Sequence, residues 1–184
     1  MNCNNVNFIN NTAKTGSAIY FEDIIINNSE FNDNAGHQGV IYCRGNTIIE
    51  NTNFSNLKNM NFSFVYGYYS SSISINNCNF FNSTSKYATA IYAGGIKLNV
   101  KNSIFSNLTA QLTGGAIALK SAFDVTIENC TFYNTTSVKN GGAINNDGNS
   151  IFGSDKVYLN IINCSFTNCK SGIGGAIVQL GGEL

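Results

Sequence analysis

One phenylalanine recurs along the whole chain with an amide or acid residue on either side of it. Phe8, Phe31, Phe54, Phe80, Phe105, Phe132 and Phe166 are separated by 23, 23, 26, 25, 27 and 34 residues, the spacing of stacked repeat units. Three positions before each ring stands Asn5, Asn28, Asn51, Asn77, Asn102, Asn129 or Asn163, and two positions after it Asn10, Asp33, Asn56, Asn82, Asn107, Asn134 or Asn168. A register held on both sides through seven copies makes each copy one structural unit, which must stack on its neighbours to bury an apolar side.

Within a copy the apolar spacing is that of strands. Ile24 and Ile26, Ile73 and Ile75, Leu98 and Val100, Val125 and Ile127, and Leu159 and Ile161 stand seven and five positions before their Phe, an alternation of period two. Two residues then interrupt it, the second always Asn, before the inward face resumes at Val6, Ser29, Thr52, Cys78, Ser103, Cys130 or Cys164 and at Phe itself. Turning the chain there while both strands keep facing inward requires an unusual backbone angle. Asparagine enters the left-handed region more readily than most residues, so it marks a corner. A third strand follows at Ala18-Ile19, Val40-Ile41, Phe64-Val65, Ala90-Ile91, Ala116-Ile117, Ala143-Ile144 and Ala176-Ile177, introduced in later copies by Gly-Gly. Glycine there permits a sharp bend or a close approach of layers.

Three short strands and three corners per coil predict an all-β solenoid of about seven coils, with no helical period in any copy. Stacking puts like residues ~4.8 Å apart, so the phenylalanines form one inner column, each worth roughly 1.5 to 3 kcal/mol when fully buried. The corner asparagines are expected to be buried and hydrogen-bonded to their counterparts above and below.

Composition narrows the function. Net charge is zero, charged residues are 11% of the chain, and Arg44 is the only arginine, far from the basic footprint of a nucleic-acid binder. No apolar run approaches the ~18 residues of a membrane-spanning helix. The opening MNCNNVNF has neither the basic nor the apolar region of a secretory signal, and the repeat runs from Asn5 to the final GGEL without recognisable caps. Because solenoids need capping repeats, residues 1–184 are read as a single domain inside a longer chain. It would stack on that chain's flanking coils, with any signal or anchor outside it.

The pairing of Phe-x-Asn with Gly-Gly-Ala-Ile, as in Phe132 to Ile144 and Phe166 to Ile177, resembles the repeat of chlamydial polymorphic outer-membrane proteins. The run NFINNTAKTGSAIY at Asn7 to Tyr20 is similar to runs in large adhesin-like surface proteins of gut methanogens. Both are similar to the pectin-lyase-like superfamily. The resemblance implies a right-handed parallel β-helix, display at a cell surface and an adhesive role, and it carries over no catalytic residue. Gly16-Ser17, Gln38-Gly39 and Ser63-Phe64 depart from the Gly-Gly pattern.

An enzyme of the lyase or hydrolase type would need clustered Asp, Lys, Arg or His on one outer face. The acidic residues mostly fall out of register between adjacent copies. Glu50 and Glu128 share a register but stand three coils apart, roughly 14 Å, too far for joint catalysis. His37 lies in AGHQG, read as a loop, with no recognisable partner. The six cysteines lack zinc-type spacing. Cys78, Cys130 and Cys164 read as small buried fillers with free thiols, in preference to a Cys130–Cys164 disulfide. No calcium-binding repeat is present, so neither metal nor cofactor is expected. The sequons at Asn10, Asn53, Asn82, Asn107 and Asn134 follow from a composition rich in Asn, Ser and Thr.

The candidate binding residues are Tyr20, Tyr42, Tyr66 and Tyr92, which share the register immediately after the third strand's Ile or Val. They are expected to form an exposed outer ladder able to stack on sugar rings or a partner protein. Insertions after the third strand, GYYSSS after Tyr66 and NNDGNSIFGSDK after Ile144, map to one edge, where binding residues of solenoids are often carried. The expected function is a non-enzymatic, cell-surface or secreted spacer and adhesive module, with surface glycans or host or partner proteins as partners. The alternative is a carbohydrate-active domain whose catalytic coils lie elsewhere.

Overall fold

The computed structural model describes residues 1–57, 60–69, 72–148 and 158–180. Their strands assemble into three seven-stranded sheets. The first holds Asn2–Asn4, Ile24–Asn27, Asn46–Glu50, Ser72–Asn76, Lys97–Lys101, Val125–Glu128 and Leu159–Ile162. The second holds Asn7–Ile9, Glu30–Asn32, Asn53–Ser55, Asn79–Ser85, Ile104–Ala110, Thr131–Ser137 and Ser165–Thr167. The third holds Ile19–Phe21, Ile41–Cys43, Val65–Tyr68, Ile91–Gly94, Ile117–Lys120, Ile144–Asp147 and Ile177–Leu180. Neighbours in each sheet are one repeat apart and parallel, with Phe8 paired to Phe31, Phe31 to Phe54, and so on to Phe166. The expected parallel β-helix of seven stacked rungs is the architecture observed.

Both asparagine sets, not one, are corners. Asn5, Asn28, Asn51, Asn77, Asn102, Asn129 and Asn163 turn the first sheet into the second, and all have φ between 49° and 59°. Asn10, Asp33, Asn56, Asn82, Asn107, Asn134 and Asn168 have φ between 51° and 57° and bend the chain again just after Phe. This second bend adds a short fourth segment that a three-strand coil does not contain. In the first two rungs it forms a separate pair, Thr12–Thr15 with Ala35–Gln38. In the fourth to sixth rungs it continues the second-sheet strand past the bend, giving seven-residue strands such as Ile104–Ala110.

The corner side chains stack, but in solvent rather than in the interior. Nδ2 of Asn51 donates to Asn27 Oδ1 at 2.9 Å, that of Asn77 to Asn51 at 2.8 Å and that of Asn102 to Asn76 at 2.8 Å, all exposed. At the second corner Asn107 reaches Asn82 at 3.2 Å and Asn134 reaches Asn107 at 3.1 Å. The expectation of buried corner asparagines is therefore corrected. A left-handed corner turns the short side chain outward, where one amide still bonds the next. Glycine would adopt the same angle but could not build the ladder.

The residue after each first corner does more than fill space. The hydroxyls of Ser29, Thr52 and Ser103 donate to the carbonyls of Asn27, Glu50 and Lys101 at 2.8, 2.7 and 2.7 Å. The thiols of Cys78, Cys130 and Cys164 make the same bond at 3.3, 3.2 and 3.3 Å. Each oxygen or sulfur can also accept the same position's amide from the preceding rung: Val6 N–H reaches Ser29 Oγ at 3.2 Å, Cys78 N–H reaches Ser103 Oγ at 3.2 Å and Cys130 N–H reaches Cys164 Sγ at 3.4 Å. Ser, Thr and Cys interchange in this column because each supplies one donor and one acceptor on a short arm.

Inside runs the phenylalanine spine. Successive centroids lie 4.6, 4.9, 4.6, 5.1, 4.7 and 4.8 Å apart with planes within 11°, the range of offset stacking. Phe31, Phe54, Phe80, Phe105 and Phe132 are fully buried, and Phe8 and Phe166 at the two ends are partly covered. The glycine corner behaves as expected: Gly114, Gly141 and Gly174 have φ of 63°, 62° and 64°. A Cβ on Gly115 or Gly142 would strike the backbone carbonyl of Gly142 or Gly175 in the next rung. The third rung closes the same corner without that glycine. Ser63 Oγ donates to Val65 O at 2.6 Å and accepts Tyr92 N–H at 3.0 Å, while Phe64 turns inward against Phe54 and Phe80.

Truncating a central ring tests the spine: Phe80→Ala is expected to lower stability by about 3–5 kcal/mol in urea melts, and Phe8→Ala by clearly less because its site is partly exposed. For the hydroxyl relay, Ser103→Ala is expected to cost about 1–3 kcal/mol, whereas Ser103→Cys retains most of that stability.

Candidate functional site

Outward positions of the first two sheets carry mainly Asn, Ser, Thr and charged residues, with Ile9, Ile25, Ile48, Ile104 and Ile162 as aliphatic and Phe81 and Tyr133 as isolated aromatic exceptions. The third sheet differs. Its inward residues Ile19, Ile41, Val65 and Ile91 are buried, so alternation turns the following Tyr20, Tyr42, Tyr66 and Tyr92 outward, and the sheet register places them side by side. Their rings stack at 5.1, 5.1 and 5.2 Å with interplanar angles of 16°, 28° and 10°. All four tyrosines are brought together as one column.

The column is only partly open, which the sequence reading did not anticipate. Tyr20 is 50% exposed, Tyr42 and Tyr92 are half-buried, and Tyr66 is 7% exposed. Phe62 is responsible: it sits edge-on to Tyr66 and to Tyr92, both at 4.9 Å, and lies flat on Tyr87 at 4.8 Å. Tyr68 adds a further ring 6.4 Å from Tyr66 and packs over Gly94, where a Cβ would collide with its ring. The sequence signal for this cover was an aromatic four or five positions before the ladder tyrosine in two adjacent copies, Phe62 and Tyr87. At the open end Arg44 Nη1 donates to Tyr20 Oη at 3.2 Å. Burial pushes the Tyr66 hydroxyl well above its ordinary range, helped by the neighbouring Tyr92, Tyr42 and Tyr68. Tyr92 is pushed up to about 12 by burial first and then by Tyr68, Tyr87 and Asp147.

Two ion pairs join adjacent rungs elsewhere. Lys97 Nζ meets Asp124 at 2.7 Å and Lys101 Nζ meets Glu128 at 2.9 Å, both on the outer face of the first sheet. Glu50 and Glu128 do share a column, separated in register by Asn76 and Lys101. His37 is exposed and belongs to the strand Ala35–Gln38, where its carbonyl accepts Phe62 N–H at 3.3 Å, and not to a loop. All six cysteines are free thiols. Burial raises the Cys78 and Cys130 thiols to about 11 and Cys43 to about 12, leaving little reactive thiolate at neutral pH. Of the insertions, Gly67 and Tyr68 and then Asn145–Asp147 are strand, whereas Ser70, Ser71 and residues 149–157 lie outside the described residues.

The raised tyrosine implies a direction for alkaline stability. In the unfolded chain Tyr92 ionises near its ordinary 10.0, while in the fold it holds its proton to about 12. The stability it contributes is complete below 10.0 and is lost as pH rises through that window. Urea midpoints followed from pH 9 to pH 12 are expected to fall more for the native chain than for Tyr92→Phe, in which only the buried thiols and remaining tyrosines contribute.

A family model described as right handed beta helix region matches residues 20–182. No curated protein and no solved structure matches the chain. The matched span covers most of the sequence and runs through all three sheets, and so the chain belongs to the right-handed β-helix family.

Proposed function

We propose that this β-helix is a non-enzymatic spacer and adhesive module, displayed at a cell surface or secreted, like the polymorphic outer-membrane and adhesin-like proteins whose repeat it resembles. The observation that carries this reading is the concentration of stacked aromatic rings on one outer face, half exposed at Tyr20, partly so at Tyr42 and flanked there by Arg44. Tyrosine and arginine are the side chains most often found at the energetic centres of contact surfaces. Seven rungs at ~4.8 Å also give a stiff rod of about 30 Å, suited to holding that face at a distance. The pairing of acidic groups with lysines, as at Lys97–Asp124 and Lys101–Glu128, supports the non-enzymatic reading. Glycan-array and cell-adhesion measurements with Tyr20→Ser and Tyr42→Ser together are expected to show about a tenfold weaker signal, with the fold retained and the melting temperature lowered only modestly by the lost ring stacking. Tyr66 is unsuitable for this test because it is buried under Phe62. Unchanged adhesion, or release of reducing sugar from plant polysaccharides by the native chain, would overturn the reading.

A further inference from the structure

The aromatic column stops abruptly. Tyr92 pairs in register with Ala118, Ala118 with Asn145 and Asn145 with Val178. Exchanging a ring for a methyl group leaves a step in the outer surface, and a cleft of about 220 Å³ opens there, lined by Tyr87, Tyr92, Ala118, Lys120, Asn145 and Asp147 among others. Pockets for drug-sized ligands run to roughly 300–1,000 Å³. This one has room for a single ring.

Its polar lining is specific. Asn145 occupies the outward column, is 5% exposed, and its Oδ1 has no hydrogen-bond partner among the described residues. A buried acceptor left unpaired is costly, and a native structure retains one chiefly where something else supplies the donor. Lys120 and Asp147 are direct register partners on adjacent strands at the rim, so opposite charges stand side by side and the cleft favours neither cation nor anion. Two tyrosines, Tyr87 and Tyr92, form aromatic walls, and Phe62 touches both of them, flat on one and edge-on to the other. The walls are thereby fixed in place before any ligand arrives, which lowers the ordering cost of binding.

We infer that this step is a subsite for one neutral, polyhydroxylated ring: a terminal sugar residue whose C–H face lies against Tyr92 and whose hydroxyl donates to Asn145 Oδ1. The inference rests on reading the third-sheet face as adhesive, and it assigns part of that contact to a cleft distinct from the open rings at Tyr20 and Tyr42. A uronate or other acid is disfavoured, because Asp147 stands beside the one rim lysine and the chain's only arginine is bound to Tyr20 at the other end of the ladder.

The test uses saturation-transfer NMR and tyrosine fluorescence, which no tryptophan obscures, with methyl glycosides of neutral hexoses and N-acetylhexosamines and of hexuronic acids as probes. The native chain is expected to bind at least one neutral glycoside and to bind uronides at least tenfold more weakly. Ala118→Tyr extends the column into the cleft, and Asn145→Ala removes the acceptor. Each is expected to weaken binding at least tenfold while the melting temperature holds or rises, since Asn145 Oδ1 bonds nothing in the fold. Ile104→Ser, at an exposed position of the second sheet away from the cleft, is expected to leave glycoside binding unchanged. Preference for uronides, absence of any glycoside binding, or full binding by Ala118→Tyr overturns the subsite. If adhesion at the same time still depends on Tyr20 and Tyr42, the adhesive reading survives; loss of that dependence removes both.

Discussion

In a parallel solenoid each side chain has its own counterpart from the next repeat as its nearest neighbour, so a residue type persists in a column only if it can interact with itself. Most features of this protein follow from that constraint. Phenylalanine stacks on phenylalanine down the interior. Asparagine is donor and acceptor at once and bonds asparagine along the corners. Serine, threonine and cysteine pass a hydrogen bond from rung to rung. Like charges would repel at ~4.8 Å. Charged residues are accordingly few, 11% of the chain, and at Lys97–Asp124 and Lys101–Glu128 a lysine meets the acid of the next rung. The low charge that argued against a nucleic-acid partner is thus also a condition of stacking.

The corners show two demands met by one residue. Each needs a left-handed backbone, which glycine would supply at a cost in chain entropy, and each brings backbone and side-chain polar groups together at an edge. Asparagine accepts the angle and uses its amide to tie successive edges. The residue after it then donates to the carbonyl two positions earlier, which also accepts a ladder amide, and can accept the amide of its counterpart in the preceding rung, which is why a hydroxyl or thiol so often follows, as in Asn51-Thr52, Asn102-Ser103 and Asn129-Cys130. Where the glycine corner is missing in the third rung, the Ser63 hydroxyl does the equivalent work.

The outer aromatic face shows how the same rule shapes a surface. A ladder of tyrosines is self-compatible, and its middle is covered by Phe62, itself backed by Tyr87. What the cover leaves lies at the two ends: Tyr20, half exposed, with the partly buried Tyr42 beside it, and the step beyond Tyr92 where Ala118 replaces a ring. The middle of the ladder becomes a rigid support between them, with tyrosine hydroxyls held protonated by burial.

The sequence alone determined the class of fold, the inward strands, the phenylalanine spine, the glycine corner and the membership of the tyrosine column, because each is a self-interaction repeated at a fixed register and so is written once per copy. It also marked the second asparagine set, but as register and not as a bend: the inward side steps by three there, as from Phe105 to Leu108, yet the position that resumes it is Asn34, Leu57, Ser83, Leu108 or Thr135, too mixed in polarity to show as an apolar period. What only the tertiary structure decided were the non-periodic features. The outward turn of the corner amides, the strand around His37, the burial of Tyr66 beneath Phe62 and the unpaired Asn145 beside Ala118 each depend on contacts between residues at different positions of neighbouring repeats. A one-dimensional period records what a position shares with its copies, whereas exposure and clefts arise where one copy departs from the next, and only the packed rungs show what such a departure covers or leaves open.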